Sequence, residues 1–485
     1  MQKTIFLLLI AFFAASAPVR ALTFDPSVRY SRLVIDASLY HFHANTSKVA
    51  GFARYDADGN LLAESESNRG FDYVPGLVAK AVLEAVDLYQ DSTFAAPWFY
   101  SIRAYGDRYA SDSRSGGSLD NLNACKLYFG LADLTAPGTK FADAARCSSY
   151  KAAQSKALAG LEDHHKGCSI TTETSVGFCG ADTYVGGWWH KSNYKNEMWC
   201  DGQYMGPALL AQLLAEGYTF QSLSADESWS LVAKQFTMTW SKLWDSEKQL
   251  LWHAFTATPA ATQTSGWADQ DAASPHYGVS AEYWGRAAGW YFLALVDVLE
   301  LMPAAHPDYA VLRSCLNSIA GGLAVRQDAG SGCWCQLLQY GNGTVPDGCT
   351  KANYLESSAT AIFTAAYLKG QRLGLFDDDW SAVAKKAYQG MVEQFLVTKT
   401  GADGDNPYSL VDCCASAGLS SDRDGTAAYY LDGIDTKHIT NYTEGKVLGA
   451  FILAAVEYER AYMPLVPDAP ESDCQCLSVT LIPNE

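Results

Sequence analysis

The chain has 485 residues, 48% of them hydrophobic, with 35 basic against 53 acidic side chains and a formal charge of −18. That balance repels phosphate backbones and other long polyanions, which excludes nucleic acid as a partner; an acidic ligand must be held by local groups that override the global field. Thirteen cysteines are too few for a disulfide-held mini-scaffold, and the odd count leaves at least one thiol unpaired.

The N-terminus carries one early cation, Lys3, then an apolar run from Ile5 to Ala15, then Val19-Arg20-Ala21. This pattern predicts a signal peptide over residues 1–21 and a secreted, extracellular protein. The run is too short to span a bilayer comfortably, and no later segment offers about 18 consecutive apolar residues, so no membrane span is expected. Asn45-Thr-Ser, Asn342-Gly-Thr and Asn441-Tyr-Thr are glycosylation sequons.

Helical periodicity then dominates. In Phe71–Tyr89, Val74, Leu77, Val78, Ala81, Val82 and Val86 form one apolar stripe at three- and four-residue steps. Similar stripes run through Leu119–Leu134, Phe141–Leu161, Met198–Leu214, Ser228–Leu243, Glu282–Leu301, Tyr309–Val325, Asn353–Leu373, Trp380–Leu396 and Glu444–Tyr462, with further helices near Val28–Leu39 and Ala95–Tyr109. About twelve helices result. No Pro/Ser-rich linker divides them, so residues 22–463 read as one catalytic domain, followed by a loose tail over 464–485.

Cys125, Cys200 and Cys315 sit on apolar helical stripes as buried thiols. The others fall in polar, loop-like sequence, and the close pairs Cys333/Cys335 and Cys474/Cys476 lack partner pairs at zinc spacing. No metal site is expected, and Asp377-Asp378-Asp379 reads as a solvated loop.

Long Gly-, Trp- and Tyr-rich loops (Gly180–Glu197, Phe255–Tyr283, Gly401–Thr443) interrupt the helices. Long loops on a rigid scaffold are where sites sit, and aromatic faces pack on the C–H faces of sugar rings. In Gly186-Gly187-Trp188-Trp189-His190-Lys191 and Met198-Trp199-Cys200-Asp201-Gly202-Gln203-Tyr204-Met205, Asp201 opens an apolar helix. It is either an N-cap or a general acid held among aromatics, since apolar surroundings raise a carboxyl pKa. Asp120, in Leu119-Asp120-Asn121-Leu122-Asn123, has the same two readings. Trp252-His253 and Tyr283-Trp284-Gly285-Arg286 form a further constellation. Arg286 either pairs with a structural carboxylate such as Glu282 or Asp269, or offers its fork to a substrate carboxylate.

The blocks GGWWHKSNYKNEMWCDGQYMGP (186–207), LWHAF (251–255), EYWGRAAGWYFLALVDVLE (282–300), NYLESSATAIFTAAYLKGQRLG (353–374) and AGLSSDRDGTAAYY (417–430) stand in one order. Together they resemble the unsaturated rhamnogalacturonyl hydrolases of glycoside hydrolase family 105, kin of the unsaturated glucuronyl hydrolases of family 88. Weaker resemblance extends from about residue 70 to 460. The resemblance implies an all-α fold, an (α/α)6 barrel of six helical hairpins. It implies hydration of the C4=C5 vinyl ether of a terminal unsaturated uronic acid from pectin-derived oligosaccharides, rather than displacement at the anomeric carbon. No cofactor and a monomer are expected.

By the same resemblance Asp201 matches the catalytic acid of the MW-x-D-x-x-Y-M pattern, and Asp120 the other functional Asp. His190, His253, Trp284, Arg286 and Trp290 match positions lining the sugar pocket, with Met205 and Tyr73 as walls; Arg286, or His190 with Lys191, neutralises the uronate. Cys200 replaces a leucine-like residue before the Asp, a change of packing, and two departures touch cleft loops: the loop after His253 lacks the usual H-x-W-D-E run and carries a longer insert before Trp267, and the Ala145–Tyr184 stretch is expanded. The other readings are an unsaturated glucuronyl hydrolase, an inverting glycosidase with carboxyls roughly 6.5–9.5 Å apart or a lyase on the same barrel, and a non-catalytic sugar-binding protein.

Overall fold

A computed structural model describes residues 20–45, 48–65, 70–90, 92–170, 185–259, 266–398, 407–434, 436–437 and 443–463. Most of the signal segment, the tail, Cys179, Cys474 and Cys476 and the sequon at Asn441 lie outside them. Arg20–Ala21 forms a short strand against Leu396–Thr398, which cleavage after Ala21 would remove.

The helices in chain order are α1 Tyr30–Ser38, α2 Tyr73–Leu88, α3 Ala95–Tyr109, α4 Leu119–Asn123, α5 Leu127–Leu134, α6 Ala144–Gly167, α7 Cys200–Met205, α8 Pro207–Ala215, α9 Ala225–Leu243, α10 Gly285–Leu301, α11 Tyr309–Arg326, α12 Ser357–Arg372, α13 Ser381–Phe395 and α14 Gly445–Tyr462. The 3₁₀ turn Ala124–Lys126 joins α4 to α5, and a kink at Gly206-Pro207 separates α7 from α8. Two expected helices are therefore broken. At Pro207 the missing N–H and fixed φ restart the helix, with Pro at its first position. Counting each broken pair as one unit gives twelve helical units among the described residues.

Six of these units close a ring: α2 packs on α4/α5, then α7/α8, α10, α12, α14 and back to α2. The other six, α1, α3, α6, α9, α11 and α13, pack outside it, so the helices alternate inner and outer along the chain as in an (α/α)6 barrel. Burial follows that division. Residues 285–299 of α10 and 357–368 of α12 are buried on every face, as a helix enclosed by neighbours must be. Outer helices such as α13 bury a single stripe. The inner helices approach closely where they carry glycine. A Cβ on Gly449 would sit 2.5 Å from Leu77 Cγ, and one on Gly76 2.6 Å from the Ala124 Cα.

Polarity organises the ring. Tyr73, Asp120, Asp201, Trp284, Glu356 and Glu444 all stand at the N-terminal ends of the inner helices. Five of the six inner N-termini, all but that of α12, contribute to one cleft. Their macrodipoles place partial positive charge there. The opposite end holds an ionic core: Lys369 Nζ lies 2.6 Å from Asp297 and 2.7 Å from Glu300, and Arg372 pairs with Glu457 at 2.6 Å.

Short strands fix the connections into the cleft. Glu197–Trp199 pairs antiparallel with Ala254–Thr256, and the Cys200 N–H donates to the His253 carbonyl at 3.1 Å. The Leu119 N–H donates to the His190 carbonyl at 3.2 Å, and Ser118 bridges Lys191.

The cysteine reading is corrected in part. Cys147 lies in α6, and Cys333, Cys335, Cys413 and Cys414 are buried rather than in open loops. Their sequence contexts are polar, but the barrel packs over them. Cys125, Cys200 and Cys315 are buried thiols as expected, Asp377 to Asp379 are exposed, and so is Asn342. No described helix is long and apolar enough to cross a membrane.

Candidate active site

A cleft of about 390 Å³ opens at the N-terminal end of the inner ring. Its lining includes Tyr73, Asp120, His190, Lys191, Asp201, Met205, Trp284 and Arg286, eight of the ten expected site residues.

Asp120 does not cap its helix: Ser118 is the N-cap, and the Asp120 carboxylate turns into the cleft. Its Oδ1 accepts from His190 Nε2 at 3.0 Å and its Oδ2 from Lys191 Nζ at 2.6 Å. Burial pushes this carboxyl up, but His190 and Lys191 outweigh burial and hold it well below the usual carboxylate range. Asp120 is thus a fixed anion, with the Lys191 ammonium and the His190 ring both turned onto it. The bridges that pin residues 117–119 to 190–192 create this triad; nothing in the local sequence of either segment does.

Asp201 also leaves its backbone uncapped. Trp199 is the N-cap of α7, and the Asp201 side chain, 14% exposed, lines the cleft. Its Oδ2 lies 3.4 Å from Nε2 of His253, which is fully buried behind it. The other imidazole nitrogen, Nδ1, is 2.6 Å from the Tyr430 hydroxyl. Burial lowers the His253 pKa, against the opposing pull of Asp201, so the ring is neutral. Burial keeps Tyr430 a phenol. The Tyr430 hydroxyl thus engages Nδ1 of the neutral ring, and Nε2 is the nitrogen nearest Asp201. His253 therefore stands buried behind Asp201 instead of lining the sugar pocket.

Trp290 is likewise displaced from its expected place. It is 1% exposed and stacks on Tyr204 with centroids 4.7 Å apart. One helical turn past Arg286, it lies deeper in the ring, beneath the floor rather than in the wall.

Arg286 is 3% exposed and enters the cleft from the first turn of α10, with its guanidinium 4.6 Å over the Trp284 ring. It does not pair with Glu282, which accepts from Gln339, nor with Asp269. Its Nη1 donates to the Cys414 carbonyl at 2.6 Å and to Ser358 Oγ at 3.2 Å. Glu356 stands behind them, N-capping α12 and accepting from Ala359 N, Cys414 N and Ser358 Oγ. Held by neutral oxygens, the guanidinium keeps its charge available to the cleft.

The aromatic wall comes from residues the motif reading did not select. Trp199 stacks on Tyr194 at 4.9 Å and 6°, and on His190 at 5.3 Å and 12°. The buried Glu197 carboxyl accepts from the Trp199 indole N–H at 3.0 Å. Desolvation pushes Glu197 up to about 8. Asp72, Lys446 and Arg423 complete the lining. Trp199 and Tyr430 stood inside conspicuous blocks and were readable as candidates. Lys446, on an apolar helical stripe, carried no signal.

The family model described as Glycosyl Hydrolase Family 88 matches residues 163–462. The chain belongs to Glycosyl Hydrolase Family 88. A solved glycoside hydrolase of family 105 from C. acetobutylicum superposes with a TM-score of 0.62 at 27% identity, covering 81% of this chain and 94% of its own. The 24.9 kDa protein in the picA locus of Rhizobium radiobacter is 33% identical over 163 residues, 33% of this chain and 66% of that protein. The unsaturated rhamnogalacturonyl hydrolase YesR of Bacillus subtilis is 33% identical over 95 residues, 20% of this chain and 24% of its own. The match thus spans about two thirds of one of these curated relatives and a quarter of the other. This family 88 chain carries the barrel that the resemblance implied.

Proposed function

We propose that this family 88 protein hydrates the C4=C5 vinyl ether of a terminal unsaturated uronic acid and so releases it from a pectin-derived, rhamnogalacturonan-type oligosaccharide outside the cell. The observation that carries the reading is the division of labour between two carboxylates in one cleft. Asp120 is neutralised and immobilised by His190 and Lys191, while Asp201 faces the cavity with only a neutral imidazole at its back. Asp201 in its acid form donates a proton to C4, and water adds its oxygen to C5 and returns a proton to the Asp201 carboxylate. The resulting C5 hemiketal opens and collapses, releasing the next sugar. Arg286 receives the uronate carboxylate, helped by the converging helix N-termini. Tyr194 and Trp199 offer a ring face beside it.

The signal-like N-terminus and the exposed sequon at Asn342 support an extracellular setting. The test is to follow vinyl-ether absorbance as the folded protein is added to lyase-treated rhamnogalacturonan. The band is expected to decay with wild-type protein and to persist with Asp201→Asn. Turnover of saturated oligosaccharides, with the unsaturated ones untouched, would move the assignment to an inverting glycosidase on the same barrel.

A further inference from the structure

The cleft contains more positive charge than one uronate requires. Of the basic side chains lining it, His190 and Lys191 are engaged by Asp120, and Lys446 by Glu444. Arg286 lies at the buried floor. The fifth, Arg423, is exposed at the mouth, and its guanidinium has no hydrogen bond or ion pair among the described residues. In a chain of charge −18, an unpaired arginine turned toward a cleft is not explained by folding.

The turn carrying Arg423 is braced. Ser420 and Arg423 exchange backbone hydrogen bonds at 3.2 and 3.1 Å. Asp424 accepts from Thr426 N at 3.0 Å and from its hydroxyl at 2.8 Å, and Tyr429 donates to the Gly418 carbonyl at 2.5 Å. Gly425 takes φ +67° with Leu419 directly against it, a conformation suited to glycine. The backbone of this turn is therefore braced internally, and it presents the Arg423 guanidinium at the rim.

We infer that Arg423 receives a second carboxylate of the substrate, on the leaving-group side, so that the preferred substrate is an acidic oligosaccharide rather than a disaccharide with a neutral leaving sugar. This rests on the reading of the cleft as a terminal-uronide site. A terminal uronic acid has one carboxylate, and the buried fork of Arg286 accounts for it. A cation at the mouth acts on what protrudes. An exposed guanidinium also works through a screened field, so its contribution falls as salt is added.

The test compares wild type, Arg423→Ala and Arg423→Lys on two substrates: an unsaturated uronyl disaccharide with a neutral leaving sugar, and an unsaturated tetrasaccharide with an internal uronate. In wild type the tetrasaccharide has the lower KM. Arg423→Ala is expected to raise the ratio of tetrasaccharide KM to disaccharide KM about tenfold at low salt, Arg423→Lys to restore part of it, and 0.5 M salt to erase most of the difference. An unchanged ratio in Arg423→Ala overturns the inference, whether both KM values stay fixed or both rise together; a joint rise means Arg423 shares the terminal carboxylate. Wild-type turnover of the disaccharide reports separately on the parent reading. Absence of turnover on both substrates removes that reading and this inference with it.

Discussion

Asp201 and Asp120 show how one residue type takes two roles through its neighbours. Both open short inner helices and neither caps its own backbone. Asp120 spends both oxygens on His190 and Lys191, and Asp201 keeps its reach into the cleft. Asp201→Asn should lower kcat by about 10²–10⁴ with the thermal transition preserved, because the amide fits the site but cannot deliver the proton. Tyr430→Phe removes the hydrogen bond that holds the His253 ring in place behind Asp201. Its expected effect is a fall in kcat of about tenfold with KM little changed, read from initial rates across pH; a selective rise in KM would count against the orienting role. Both aspartates were legible as candidates from sequence. Their division of labour was not, because it depends on a contact between residues 70 positions apart.

Glu197 and the glycines act at the scale of elements. Glu197 sits in the strand that joins the Asp201 segment to the His253 segment, and its carboxyl, pushed up to about 8, holds the Trp199 indole. The sign follows from linkage. Unfolded chain loses this proton in the ordinary glutamate range and the folded chain holds it to about pH 8, so the group weakens stability as pH rises between those limits. Glu197→Gln should therefore raise Tm at pH 8 more than at pH 5, by about 1–3 kcal/mol of stability at the higher pH; an equal Tm shift at both would reject the assignment. On α14, Gly449→Ala places a methyl against Leu77 and should cost about 1–3 kcal/mol in denaturant titration. The periodicity of Phe71–Tyr89 and Ala95–Tyr109 located α2 and α3 to within two residues at each end, since both are long and uninterrupted. It misjudged Leu119–Leu134 and Met198–Leu214. Those breaks, a 3₁₀ turn at Ala124–Lys126 and a restart at Gly206-Pro207, interrupt the hydrogen-bond ladder while the apolar spacing continues, and a pattern of spacings does not register such an interruption.

The whole molecule separates its charges by end. Helix N-termini converge on the cleft, and the far end is held by Lys369 between Asp297 and Glu300, with Arg372 on Glu457. Burial raises the Asp297 carboxyl, but Lys369, Lys80 and Lys126 outweigh it and depress the net value. The stability this contributes is present above the ordinary carboxylate range and is lost as pH falls below it. Lys369→Met leaves two acids without their cation and should cost about 3–5 kcal/mol at neutral pH, with the deficit shrinking in acid as Asp297 takes up a proton; a Tm deficit independent of pH would argue against the network.

Sequence alone determined the number of helical units, the family resemblance that implied the barrel, and eight of the residues lining the cleft, because apolar period and ordered motifs are properties of neighbouring residues. Only the tertiary structure decided that His253 stands behind Asp201, that Trp290 lies beneath the floor, that Arg286 rests on Cys414 and Ser358, and that Arg423 remains unengaged at the mouth. Each of those depends on which ends of distant helices meet when the ring closes, and local spacing carries no information about closure.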